Sequence, residues 1–175
     1  AVVATGLLTL YQLTGSWLPE AQGLLDVALA HFTDPEQPGR WYDTADDAEQ
    51  LMVRPSDPVD GATPSGASLI AEALQLAAHL TGKETYAAAA ETTLASATPI
   101  LARAPRSGGH WLAVAEARIR GPIQIAVACN PSSSELLTAA RTLAPGGAVV
   151  IGGAVDSSEL LQGRCRIDGA DAAYV

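Results

Sequence analysis

Apolar positions recur every three or four residues through most of the first 118 residues, then give way to alternation and short apolar runs. The first pattern predicts helices packed on one face, the second predicts strands. Leu7, Leu10 and Leu13 share one helical face, and Ala21, Leu24, Leu25, Ala28, Leu29 and Phe32 form a broad stripe on the next helix. Ile70, Ala73, Leu74 and Ala77 mark a third helix. Ala87, Ala90, Leu94, Ala97 and Leu101 mark a fourth, whose small side chains allow close helix approach. Residues 7–15 lie over residues 74–82, with Leu-Thr-Gly in register at 13–15 and 80–82. Gly15 and Gly82 suit the left-handed residue that closes a helix, and Ser16 and Thr85 are placed to cap the helices that follow. The shared unit is a helical hairpin. Repeated hairpins cannot bury their apolar faces singly, so they stack into a solenoid or close into a ring.

The composition changes after Pro105, where Ser107-Gly108-Gly109 precedes a short helical run with Trp111, Leu112 and Ala115 on one side. From Gly121, Ile123, Ile125 and Val127 alternate with Gln124, Ala126 and Ala128 as in a strand. A helix over 134–143 and a strand over 148–151 complete a parallel βαβ unit; Ser132 and Glu135 stand at capping-box spacing, and the cap is open among the three serines that follow Pro131. Gly146-Gly147 and Gly152-Gly153 bracket the second strand as turns, and residues 172–175 resemble a further apolar strand. The expected fold is mainly α over 1–118, followed by a small α/β subdomain over 119–175. Both ends stop abruptly, which suggests a piece of a longer chain.

A long Pro/Gly/Asp segment, residues 54–68, interrupts the helical half, and loops of that length inside a domain usually have a task. Its surroundings are acidic: Asp43, Asp46, Asp47, Glu49, Asp57 and Asp60 have almost no cation among them except Arg54. The whole chain carries a formal charge of −9, and its basic residues form no stripe, so nucleic acid is a poor partner. Cys129 and Cys165 show no C-x-x-C or zinc-type spacing, and the default setting for such a chain is a reducing cytoplasm. The apolar start has no basic flank, and no apolar run approaches the roughly 18 residues of a membrane span. No membrane partner is expected.

Asp43 stands beside Trp41 and Tyr42, and aromatics next to a carboxylate provide flat faces for sugar C–H groups. Two carboxylates at a suitable separation can act as acid and base on a glycosidic bond or sugar carbon. Asp46, Asp47 and Glu49 read instead as a solvated loop or helix start. Arg54 either clamps Asp57 or Asp60 with its planar fork or meets a ligand anion. Ser65 is a candidate N-cap for the helix that begins at Gly66, whose free N–H groups are placed to bind an anion or a hydroxyl. His31, His79 and His110 are far apart in sequence, so no metal is expected; each reads as a surface or helix-end residue. Cys129 reads as a buried small hydrophobe, whereas Cys165 between Arg164 and Arg166 reads either as the more reactive thiol or as an ordinary strand residue. The turn 129–134 lacks both G-x-G-x-x-G and the P-loop, so no nucleotide cofactor is expected.

Trp41-Tyr42-Asp43-Thr44, Leu51-Met52-Val53-Arg54-Pro55, Asp60-Gly61-Ala62-Thr63-Pro64-Ser65-Gly66 and the later Leu80-Thr81-Gly82, in this order, resemble the YyaL-type, spermatogenesis-associated thioredoxin-domain proteins. That resemblance implies a C-terminal portion: αα-hairpins forming part of an (α/α) toroid of the six-hairpin glycosidase type, akin to sugar epimerases, with a small βαβ piece after it. It implies as partners the upstream hairpins, a thioredoxin-like domain and a carbohydrate-like small molecule. With the loop's composition it nominates Asp43 and Asp60 as catalytic carboxylates, and Trp41, Tyr42, Arg54, Asp57, Thr63, Ser65 and Gly66 as substrate-binding residues. Sugar epimerases of this class use paired histidines, and no such pair stands out here, which weakens transfer of that activity. A non-catalytic toroid that supports the redox domain is the rival expectation.

Overall fold

The structure is a computed structural model and describes residues 1–49 and 51–175. Two helical hairpins open the chain: α1 (Val2–Thr14) with α2 (Leu18–His31), and α3 (Gly66–Thr81) with α4 (Glu84–Ser96). They lie side by side through α1 and α3. Gly15 (φ 75°) and Gly82 (φ 65°) close α1 and α3 in the left-handed conformation, as the Leu-Thr-Gly repeat predicts. The expected hydroxyl caps of the second helices are not used. Trp17, itself at φ 83°, precedes α2, and Lys83 precedes α4.

Helix α3 is the inner element. Ser65 caps it by accepting a hydrogen bond from Ser68 N (3.1 Å), and Ile70, Ala71, Ala73, Leu74, Ala77 and Leu80 are all buried along it. A helix apolar on most of its circumference must be enclosed, and α1, α4 and α6 pack around this one. Fully buried Leu8, Leu25 and Leu74 tie the two hairpins together, each worth about 1.5–3 kcal/mol of apolar burial. The stripe expected on α2 is only partly covered: Ala21 and Leu25 are buried, whereas Leu24 is exposed. The fourth helix breaks after Ser96, and α5 (Thr98–Arg103) restarts with Pro99 in its first turn, where a missing N–H is harmless.

A 3-10 turn over Pro105–Ser107 leads into α6 (Gly109–Arg120). Its buried face is Trp111, Val114 and Ala117, a phase different from the expected Trp111, Leu112 and Ala115; Leu112 is exposed. The remainder is a three-stranded sheet in the order β2-β1-β3. Parallel strands β1 (Gln124–Ala128) and β2 (Val149–Gly153) are joined by α7 (Glu135–Leu143), and β3 (Ala172–Tyr174) runs antiparallel to β1. Of the three serines, Ser134 caps α7 by accepting from Leu137 N. Gly146-Gly147 forms a turn as expected, but Gly152-Gly153 lies inside β2. A Cβ on Gly152 would stand 2.7 Å from Leu137 Cδ1, so glycine there lets α7 approach the sheet.

The central strand is covered on both faces. Ala126, Ala128, Val149 and Ile151 join the helical core, while Val127, Cys129 and Val150 pack with Leu137 of α7. One main core therefore spans the boundary expected near residue 118. Gln12 of α1 reinforces it: its side-chain oxygen accepts from Val150 N (2.9 Å), and its backbone oxygen accepts from Arg141 (2.9 Å). Among the described residues, no helix is long and apolar enough to cross a membrane.

Candidate functional site

After α2 the chain doubles back. Thr33 and Trp41 form an antiparallel bridge, and Tyr42 N donates to Phe32 O (2.8 Å), which returns residues 41–43 to the end of α2. Asp34 organises this turn. Its buried carboxylate accepts from Glu36 N (2.9 Å), the Tyr42 hydroxyl (2.9 Å) and Arg40 (3.3 Å). The Glu36 N–H is the leading influence that holds the Asp34 carboxyl below the ordinary carboxylate range. Trp41 lies beneath, its indole N–H donating to Thr93 Oγ1 of α4 (2.9 Å).

The result is a cleft of about 440 Å³ between the first hairpin and the start of α3. Ala28, Phe32, Trp41 and Ile70 supply apolar walls, and Tyr42, Asp43 and Gly66 bring the polar edge. Asp43 is exposed there, and one of its oxygens would stand 3.6 Å from a Cβ on Gly66. A carboxylate beside the start of α3 already occupies the positive end of the helix dipole. An anionic ligand would be repelled at this place, whereas a hydroxyl or ammonium donor would be accepted. Of the anion or hydroxyl expected at residues 65–66, the neighbouring Asp43 carboxylate favours the hydroxyl.

Of the residues nominated from the sequence, the cleft collects Trp41, Tyr42, Asp43 and Gly66. The others serve the framework. Arg54 turns from Asp57 and Asp60 to backbone carbonyls: its Nη2 donates to His31 O (3.0 Å) and Thr44 O (2.6 Å), and its guanidinium lies 4.0 Å from the Tyr42 ring centroid. Arg40 also lies over that ring, at 5.2 Å, so the Tyr42 face is engaged by guanidinium groups. Arg54→Lys keeps the charge but loses the planar stack, and we expect a loss of about 1–2 kcal/mol, read as a lower melting temperature. An unchanged melting temperature would show that the staple is dispensable.

Both carboxylate oxygens of Asp60 are engaged by hydrogen bonds. One carboxylate oxygen accepts from Ser65 N (2.9 Å) and Ser68 Oγ (2.8 Å), and the other from His110 N (2.9 Å) and Trp111 N (3.2 Å). Burial pushes its pKa up, but these four donors outweigh it and hold the carboxyl below its ordinary value. The long loop is thus a brace between the first turns of α3 and α6, strengthened by Asp60 N to Ser107 O (2.9 Å) and Trp111 Nε1 to Pro58 O (2.8 Å). Asp57 accepts from Val59 N (3.0 Å) and shapes its own turn, Ser65 caps α3, and Thr63 lends its carbonyl to Gly61 N (3.0 Å). Asp43 thus lies at the cleft, while Asp60 is engaged by four donors in the brace between α3 and α6.

Asp34, Ser68 and Thr93 escaped the sequence reading, although Asp34-Pro35-Glu36 carries a turn signal that could have exposed the first. His31 was expected to be a simple helix-end residue, and Asp46 a solvated one. Both hold, since His31 ends α2 and Asp46 is exposed, and in addition His31 Nδ1 stands 2.7 Å from Asp46 Oδ1 and 3.8 Å from Asp47 Oδ2. The Asp46 hydrogen bond raises the His31 pKa. His110 Nε2 lies 3.4 Å from Glu72, and Gln124 Nε2 donates to His79 O (2.5 Å). Cys129 is buried, as expected; Cys165 is exposed, and both thiols are free. No protein-family model matches the sequence, and no curated protein matches it.

Proposed function

We propose that this chain is the C-terminal portion of a helical toroid of the six-hairpin glycosidase type, and that the cleft at Trp41, Tyr42, Asp43 and Gly66 binds a carbohydrate-like small molecule. The observation that carries the reading is the meeting of an aliphatic and aromatic wall with one exposed carboxylate at the start of α3. Sugars present C–H faces and hydroxyl donors, which suit such a wall and such an acceptor. Binding is favoured over acid–base chemistry, because Asp60, the partner nominated for Asp43, already accepts four hydrogen bonds.

A ligand that binds only the folded chain raises its melting temperature. In a panel of mono- and oligosaccharides at millimolar concentration, at least one member should raise it, and Asp43→Ala should weaken that response about tenfold, a loss of roughly 1.4 kcal/mol. A flat response across the panel sinks the reading. The second reading, a non-catalytic scaffold for a thioredoxin-like domain, would then take its place. It draws support from Arg54 and Asp60, both of which are engaged in holding the loop.

A further inference from the structure

We infer that His31, Asp46 and Asp47 form a binding site for a divalent first-row transition-metal ion. The three donor atoms, one imidazole nitrogen and two carboxylate oxygens, lie within 4.8 Å of one another. Metal–ligand bonds of about 2.1 Å put neighbouring donors roughly 3–3.4 Å apart. The observed 2.7 Å and 3.8 Å from His31 Nδ1 bracket that range, and small rotations of exposed aspartate side chains reach it.

A simple ion pair explains less. One imidazole N–H serves one carboxylate, and Asp46 takes it; Asp47 Oδ2, at 3.8 Å, is beyond hydrogen-bond reach. Two neighbouring aspartates thus converge on a single nitrogen. The nearby guanidinium of Arg54 is directed at the carbonyls of His31 and Thr44. A divalent cation would satisfy all three groups together.

The backbone beneath the cluster is already fastened. His31 ends α2, and its carbonyl oxygen accepts from both Asp46 N (3.0 Å) and Arg54 Nη2 (3.0 Å). The segment from Thr44 to Asp47 is thereby pinned to the helix end, so the donors are brought together before any ion arrives. Mixed imidazole and carboxylate ligation suits zinc, manganese, cobalt or nickel rather than calcium or magnesium, which prefer all-oxygen sets. The cluster is partly open to solvent, leaving positions for water. Because Asp43 immediately precedes this segment, the ion would lock the stretch of chain that carries the cleft's carboxylate.

Calorimetric titration of the intact chain with zinc chloride at neutral pH tests the site, in a Cys165→Ser background that removes the exposed thiol. We expect one ion bound with a dissociation constant of about 1–50 μM, and no comparable binding of magnesium. His31→Ala and Asp47→Asn should each weaken binding about tenfold or more, a change of roughly 1.4 kcal/mol. Asp47→Asn breaks no hydrogen bond described above, so an unchanged melting temperature without metal confirms that it folds. No saturable binding below about 100 μM, or zinc binding indifferent to both substitutions, overturns the assignment. The second result would direct the ion elsewhere, for example to His110 and Glu72.

Discussion

Asp60→Asn should destabilise the chain by about 2–4 kcal/mol at neutral pH, the cost of losing charge-assisted hydrogen bonds in a partly buried setting. The carboxylate accepts from two helix starts at once, Ser65 N and Ser68 Oγ on one side, His110 N and Trp111 N on the other. An amide oxygen can keep one pair. Its NH2 group then faces the other two N–H donors. The effect has a pH signature whose direction follows from the depressed folded pKa. The carboxylate's contribution is fully present above the unfolded value of about 4, and is lost as the pH falls through the lower folded value. Urea denaturation at about pH 7 and again near pH 3 should therefore show the gap between wild type and variant narrowing in acid. A gap that is absent at neutral pH, or that widens in acid, would remove Asp60 from its bracing role.

Gly39→Ala should cost a similar amount, about 2–4 kcal/mol, for a reason that owes nothing to charge. Gly39 sits at φ 85°, where a side chain is strained, and an added Cβ would stand 2.8 Å from the Thr92 carbonyl carbon and closer still to its oxygen. Those atoms belong to the backbone of α4 and cannot rotate away. The same contact is tightened by Ser96 Oγ, which donates to Gly39 O (2.9 Å). Gly61→Ala is the matched control, since an added Cβ there meets nothing within 4 Å; its effect should stay within about 0.5 kcal/mol. Thermal melts should separate the pair by roughly 5–12 °C. Equal melting temperatures would mean that the turn over 35–39 yields without disturbing α4. Because that turn sets Trp41 against Thr93, Gly39→Ala should also impair whatever the cleft binds.

The loop residues show how far composition can be trusted. Arg54, Asp57, Asp60 and Ser65 are polar residues in a Pro/Gly-rich segment next to aromatics, a composition that a binding loop and a brace share. What separates the two is direction. Asp60 meets His110 and Trp111, fifty residues later, and no local pattern announces a partner at that range. Arg54 illustrates a related blindness: its expected partners were nearby carboxylates or a ligand anion, yet its hydrogen bonds go to backbone carbonyls, which every residue supplies and no sequence distinguishes. His31 and Asp46 are likewise joined only because the turn after α2 doubles back.

Local signals were read correctly where a single residue's conformation or a short period is decisive. Gly15 and Gly82 close their helices because only glycine enters the left-handed region without cost, and Ser65 caps α3 because its hydroxyl reaches an N–H three residues on. Helical spacing over 66–81 and strand alternation over 124–128 set the element types and their order, from two hairpins to a small sheet. Tertiary packing alone decided the phase of α6, which buries Val114 and Ala117 rather than Leu112 and Ala115 beside Trp111, and the merging of sheet and helices in one main core. It also decided which four of the nominated residues share the cleft. The physical reason is range: torsional preference and periodicity act within a few residues, while the partner of a buried polar group is chosen by the whole fold.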